Sequence, residues 1–270
     1  MDRVTAAHRR PPLLPALLEF DVGDRFAAQR LAELMERDPL MSRRIHHAFV
    51  MQGDSREAAF TARDAIQRVG VPGVHCNVSN CGIAHALGAP DTPGYREYWT
   101  HAAATGVLAT LMSSALRVDY YRPFLAGILM GVGRLLLAMH EPDAARSTLD
   151  AATRTDRPLQ LVEREHLGYA SRDLGRAIAE AWALPDTVIA VFDDARAMDD
   201  ARDALEPASI ARRSRIGAIR LGYHNPLEPP VDPASLTTDE HFSGIVTKYG
   251  GRQRLWQDVV SLIGAAQIPE

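Results

Sequence analysis

Cysteine is nearly absent: Cys76 and Cys81 are the only two in 270 residues, with four residues between them. That spacing is not a zinc pattern, no second pair completes a site, and two idle or buried thiols in a reducing compartment fit better. Aromatic residues supply 6% of the chain while alanine and leucine are plentiful, which favours packed helices over sheets. There is no excess of positive charge; the net charge of −4 argues against broad attraction to nucleic acid or anionic lipid. The short apolar run near the N-terminus is broken by Pro11, Pro12 and Pro15, so it reads as neither signal peptide nor span. The most apolar stretch, 123–139, is too short and too marked by glycine for a transmembrane helix. A cytoplasmic location follows as the expectation. Also missing are a nucleophile elbow, a Walker loop and a dinucleotide fingerprint. GILMGVG (127–133) lacks the G-x-G-x-x-G spacing and follows no strand, so it is no phosphate cradle.

What is present is helix. Apolar residues make up 46% and charged residues 24%, ordinary for a soluble globular protein, and apolar positions recur at helical spacing almost everywhere. Ala27, Leu31, Leu34 and Met35 share one face, and Pro39 ends that helix after Asp38. Ser55 is a candidate N-cap for a helix with Ala58, Ala62, Ala65, Ile66 and Val69 inward and Gly70 as its stop. Residues 85–95 read as a loop, followed by helices from about Glu97 to Arg117, over 123–139, from Pro142, and over 158–167. Ser171 is the expected cap of a helix with Leu174, Ala177, Ile178, Ala181 and Trp182 inward, closed by Pro185. A mixed-polarity acidic helix (186–205) and another at 207–222 precede a proline-rich surface loop, 225–235. Thr237 with Glu240 forms a candidate capping box ahead of two helices that part at Gly250 and Gly251. No alternating strand and no repeat of 20–50 residues is present, so the expectation is all-α.

The order of landmarks resembles the HDOD domain, a degenerate branch of the HD phosphohydrolase superfamily. LAELMERDPLMSRRI (31–45) is similar to that family's opening helix and Asp-Pro turn, and AFTARDAIQRVGVPGV (59–74) to the helix that follows. YWTHAAATGVLA (98–109) matches the Trp-x-His helix, and FLAGILMGVGRLLL (124–137) the Gly-Leu-Leu-His-Asp-Ile-Gly helix. VEREHLGYASRDLGRAIAEAWALPDTV (162–188) matches the Glu, Gly, His, Gly, Trp, Leu-Pro segment. The stretch IHHAFVMQG (45–53) departs from the family, which has a Leu-x-x-x-Asn-Ser sequence there. The resemblance implies one HDOD-type domain over 12–268: an N-terminal helical part (12–90), a degenerate HD-like core (95–200) and a C-terminal helical extension (205–268).

An HD hydrolase needs several His and Asp side chains that converge on one or two metal ions and generate a hydroxide nucleophile. The resemblance carries the first His onto His101. The His-Asp pair falls on Met130 and Gly131, and the next His on Ser171. The final His pair falls on Ala195 and Arg196, with Asp194 in range after one residue of slippage. A catalytic zinc keeps three protein ligands and a water; this set cannot supply them, and no metal or cofactor is expected.

His101 reads more simply as a helix histidine bonded across the bundle, and Met130 as a flexible filler of vacated space. Gly131 and Gly133 permit close helix approach at a propensity cost of roughly 1 kcal/mol each. His46 and His47, about 100° apart on a helix, cannot easily share a metal. The acidic run Asp193, Asp194, Asp199, Asp200 and Asp203 reads as a solvated face. Arg212, Arg213, Arg215 and Arg220, with Trp256, form a candidate interaction surface. Trp99 and Trp182 are expected core anchors.

Three readings of function follow. The first, which the resemblance favours, is a non-catalytic bacterial signalling module that binds a partner protein or forms a homodimer, with neither nucleic acid nor membrane as partner. The second is a residual metal-dependent phosphohydrolase acting on a nucleotide or cyclic dinucleotide. The third is a small-molecule sensor using an apolar pocket lined by Met130, His101 and Trp182.

Overall fold

The computed structural model describes residues 2–38, 42–44, 46, 61–88, 91–193, 203–236 and 240–266. Among them there are helices and turns and no strand. The expected features at Pro39, Ser55, Ala58, Asp194, Asp199, Asp200 and Thr237, and that of His47, lie outside the described residues.

In chain order the helices are α1 (Asp2–Ala7), α2 (Leu14–Leu18), α3 (Ala27–Glu36), α4 (Ala62–Leu87) and α5 (Tyr95–Leu116). They continue with α6 (Tyr121–Leu129), α7 (Val132–His140), α8 (Pro142–Thr155), α9 (Leu159–Leu167) and α10 (Ser171–Ala181). The last are α11 (Asp186–Ile189), α12 (Pro207–Arg220), α13 (Glu240–Lys248) and α14 (Gly251–Ala266). They fall into two compact units, Met1–Arg9 with Pro90–Leu255, and Arg10–Ala89 with Trp256–Glu270.

In the smaller unit, α2 and α3 pack on α4. Leu31 and Met35 are buried as their spacing predicts, with Leu34 half-buried. Gly70 interrupts α4 with φ 78°, so the predicted stop is real, but helix resumes at once. Pro72 then sits in the first turn of the resumed helix, where a missing N–H costs nothing. α4 is capped by Thr61, which accepts from the Asp64 N–H at 3.3 Å. The Asp64 carboxylate accepts from the Thr61 N–H in return. The Asn80 amide donates to the Leu262 carbonyl at 2.8 Å, and the Ser261 hydroxyl to the Asn77 side-chain oxygen at 3.2 Å. Both cysteines are free and buried; burial pushes the Cys81 thiol up to about 11, which keeps it unreactive.

The larger unit is built on α5, α6 and α12, with α7 against α10 and α8 against α7 and α9. The apolar stretch predicted as one helix over 123–139 is instead two, α6 and α7, with a corner at Met130–Gly131. Of the most apolar 18-residue window within 121–140, 78% is buried within the fold, which explains its apolar character as core packing. A Cβ on Gly127 would lie 3.2 Å from the Gly106 backbone, so two glycines set the spacing of α5 and α6. Ser171 is the first residue of α10 and not its cap: the Asp173 carboxylate accepts from the Ala170 N–H at 3.0 Å, and the Ser171 hydroxyl is used elsewhere. Of the acidic helix expected over 186–205, the described residues form one turn of α-helix, Asp186–Ile189, a 3₁₀ turn, Ala190–Phe192, and a second 3₁₀ turn, Asp203–Leu205; residues 194–202 lie outside the described residues. Trp99 and Trp182 are buried as predicted, and the Trp182 indole N–H donates to the His8 carbonyl at 2.9 Å, holding α1 in place.

Candidate functional site

All the described positions that the family motif singles out lie in the larger unit. α5 carries His101, the α6–α7 corner carries Met130 and Gly131, and the start of α10 carries Ser171.

His101 is 4% exposed, and its Nδ1 lies 2.8 Å from the Tyr223 carbonyl oxygen. A carbonyl can only accept, so Nδ1 bears the proton and Nε2 presents a lone pair, which has no hydrogen-bond partner among the described residues. Burial pushes the imidazole below its ordinary range, with the Glu228 carboxylate working against that shift. The lone pair is the right donor for a metal, but the rest of the ligand set is missing among the described residues.

A Cβ on Gly131 would lie 3.1 Å from the Tyr98 ring, 3.6 Å from the Asn225 amide nitrogen and 3.8 Å from Glu228 Oε1. Glu228 pairs with the Arg215 guanidinium. The space beside the absent Asp side chain is therefore bordered by a carboxylate that already has its own cation. Among the described residues no group of three His, Cys, Asp or Glu could hold a metal ion. The described residues do not fit the HD metal centre.

Ser171 is equally unsuited to chemistry. Its N–H and hydroxyl both donate to Glu163 Oε2, at 2.7 and 2.9 Å, leaving the oxygen no role as a nucleophile. Glu163 Oε1 accepts from Arg134 Nη1 at 2.8 Å, and the side chains of this ion pair are 0% and 4% exposed. Arg134 Nε donates to the Leu227 carbonyl at 2.6 Å and its Nη2 to the Ala145 carbonyl. So α7, α8, α9, α10 and the 223–231 loop are tied to one buried guanidinium.

Gly133 makes that arrangement possible. A Cβ there would fall 1.8 Å from the Ser171 carbonyl oxygen, so only glycine lets α7 lie against the start of α10. The close approach expected of both glycines belongs to Gly133; Gly131 faces side chains of α5 and the loop.

Met130, Gly131, Gly133, Arg134 and Ser171 border a cleft of about 890 Å³. Met130 does not plug the vacated space; it is half-buried on the cleft wall. The expected apolar pocket of Met130, His101 and Trp182 is not formed. His101 and Trp182 are absent from the cleft lining, which instead carries five arginines, among them Arg172, Arg212 and Arg215. The four arginines of the predicted surface separate: Arg212 and Arg215 line the cleft, while Arg213 donates to the Ala204 carbonyl and Arg220 to the Leu236 carbonyl. Trp256 is 45% exposed and belongs to the other unit.

Three functional neighbours escaped the sequence reading. Arg134 carried a usable signal, a single cation in an apolar helix, which demands a buried partner. Glu163 carried none beyond its place in the family motif. Glu228 lies in the proline-rich segment expected to be surface loop, yet Asn225 and Leu227 beside it are buried and the segment forms a wall of the cleft.

The profile of the HDOD domain matches residues 11–197. No curated protein gives a significant match. Among solved structures, the chain is similar to an HDOD domain protein with unknown function from Geobacter sulfurreducens. Identity there is 14%, coverage is 95% of this chain and 92% of that one, and the TM-score is 0.69. It is similar also to a provisionally named phosphohydrolase from Shewanella amazonensis SB2B, at 18% identity, covering 98% and 97% of the two chains with a TM-score of 0.67. A provisionally named signal transduction protein from Marinobacter aquaeolei VT8 shares 18% identity; 98% of this chain and 64% of that chain align, with a TM-score of 0.57. At these identities the likeness is one of fold.

Proposed function

The chain belongs to the HDOD family, and on that premise we propose that it is a non-catalytic signal-transduction module of bacterial type, cytoplasmic, acting over residues 12–268 by binding a partner protein. A signalling role fits the family and the name of the Marinobacter neighbour. The observation that carries the non-catalytic reading is the commitment of the centre to structure. Glycine stands where a metal-binding carboxylate belongs, the Ser171 hydroxyl is consumed by Glu163, and Glu228 is held by Arg215. A metal-dependent hydrolase needs an open coordination position and ligands to define it; His101 alone is one imidazole. The signal then passes through surfaces and not through turnover, to another protein or to a second copy of the chain. The net charge of −4 weighs against nucleic acid and against anionic membrane as the partner.

Elemental analysis of protein purified without chelator tests the reading. The expected result is a metal content near zero, unchanged after incubation with manganese, iron or zinc, and no release of phosphate from nucleotides. A stoichiometry near one ion per chain, lost in His101→Ala, would overturn it.

A small-molecule sensor is a second reading, favoured by the 890 Å³ cleft, a size within the usual range for ligand pockets.

A further inference from the structure

The short helix at the start of the chain is fastened through a histidine. α1 is six residues long, too short to be stable by itself in water, so its place depends on contacts with α10 and the residues around it. Two of those ties meet at His8, which is 7% exposed. The Trp182 indole N–H donates to the His8 backbone carbonyl at 2.9 Å. The His8 ring meets the ring of His140, the last residue of α7, with the two Nε2 atoms 2.9 Å apart and the planes inclined at 77°.

A hydrogen bond between two imidazoles carries its own pH dependence. One ring donates and the other accepts, so at least one of the two is neutral. A first proton on the pair is tolerated, because a cationic ring donates well to a neutral one. A second is not: both Nε2 atoms then bear hydrogen, the acceptor is gone, and two like charges stand at hydrogen-bond distance. Histidine is the side chain whose ordinary titration falls between about pH 5 and 8, and the two protons belong to the pair and not to either ring. His140 is exposed and takes its proton from solvent, while burial weighs against a charge on His8.

The charged groups on the surrounding elements have partners of their own. On α10, Asp173 pairs with Arg164, and Arg176 with Glu180 and Asp193, while Arg172 is a further cation. On α7, Arg134 pairs with Glu163. Glu141, which follows His140, accepts from the Tyr169 hydroxyl at 3.0 Å. In the sequence, α1 carries Asp2 and Arg3, and Arg9 and Arg10 follow His8.

We propose that α1 is a pH-released latch: the bond between His8 and His140 holds it against α10 near neutral pH, and mild acidification opens it and uncovers the face of α10 around Trp182. Opening is local, because α7 and the start of α10 stay tied through Arg134, Glu163 and Ser171, and it is independent of any chemistry in the cleft. Trp182, 0% exposed in the closed form, loses the partner of its indole N–H when the segment leaves.

Hydrogen–deuterium exchange of the full chain tests the latch, read by mass spectrometry at about pH 7.5 and about pH 5.5, either side of the ordinary imidazole titration, and corrected for the intrinsic pH dependence of exchange. In the wild type, protection over residues 2–9 should fall about tenfold or more at the lower pH while α5 and α6 stay protected. His140→Gln, at an exposed position, replaces the titrating ring with an amide that can donate or accept but takes up no proton in this range. Protection over 2–9 in that variant should therefore be the same at both pH values. No fall in the wild type, an equal fall in His140→Gln, or a fall that spreads through α5 and α6 overturns the latch.

Discussion

Replacing Gly133 by alanine sets two opposed effects against each other with magnitudes that decide the outcome. Gly133 is the second residue of α7, in its first turn, so alanine's helix-propensity gain over glycine is at most the interior value of about 1 kcal/mol. Against that stands the Cβ position, 1.8 Å from the Ser171 carbonyl oxygen, 2.7 Å from the Ser171 carbonyl carbon and 2.8 Å from the Gly175 nitrogen. All three are backbone atoms, so no rotamer change relieves the clash. The start of α10 would have to retreat until the oxygen reached the 3.4 Å at which ordinary contact begins. It is not free to do so: the Ser171 N–H and hydroxyl are fixed to Glu163, and Glu163 to Arg134. Overpacking alone costs about 1–3 kcal/mol, and loosening a hydrogen bond to a charged group about 1.5–3 kcal/mol. The net expectation is a loss of about 3 kcal/mol or more in the larger unit, despite the better helix former. Gly244 supplies the control, because it lies inside α13 with nothing within 4 Å of its Cβ position. Gly244→Ala should therefore stabilise by about 0.5–1 kcal/mol. Urea unfolding followed by circular dichroism reads both variants. If Gly133→Ala matches the wild type, or moves with Gly244→Ala, the close approach of α7 and α10 is wrong.

The buried pair of Arg134 and Glu163 makes a second expectation: Glu163→Gln should cost about 3–5 kcal/mol by stranding a buried cation, and Arg134→Met combined with Glu163→Gln should cost less than the single change. Denaturant midpoints of the three proteins check it, and a single variant within 1 kcal/mol of wild type (about the ordinary surface effect) would count against the pair. His101 gives a pH signature. Its folded pKa is depressed by burial below the ordinary 6.5, so the unfolded chain takes up the proton first. Stability is full above about pH 6.5 and falls as pH drops below it, at up to about 1.4 kcal/mol per pH unit until the folded group also titrates. The difference in unfolding free energy between wild type and His101→Gln, followed across that window, should shrink as pH falls; a constant difference refutes the neutral, buried imidazole.

The sequence announces helices by amphipathic stripes and punctuation, and where both exist the boundaries fall close. Pro142 opens α8, Pro207 opens α12, and the Ala27–Leu31–Met35 stripe is the buried face of α3. The second half of α4 had no such signal, because Val74 to Ala84 are buried all round and leave no polar face to mark a period. The break at Met130–Gly131 was hidden for a related reason, since nearly every position on either side is apolar or glycine and no polar face marks where one helix ends. At the site, the lost ligands are plain in the sequence because a motif with a glycine in place of aspartate is a local fact. What replaced them is not, because Glu228 and Arg215 reach the cleft from segments far along the chain. Prolines in 225–235 mark an irregular backbone, and irregular backbone is no guide to exposure when, as at Asn225 and Leu227, it is buried.

The Glu228 carboxylate, 3.8 Å from the missing Cβ of Gly131, gives this lineage a direction. An aspartate reappearing at position 131 would meet a like charge already satisfied by Arg215, and its first contact would be repulsion instead of a metal. Descendants of this chain can vary the cleft, enlarge it or change what it recognises, but a path back to metal chemistry has to dismantle position 228 before it can rebuild position 131. The pairing of Arg215 with Glu228 thus makes position 131 hard to restore to an acidic residue.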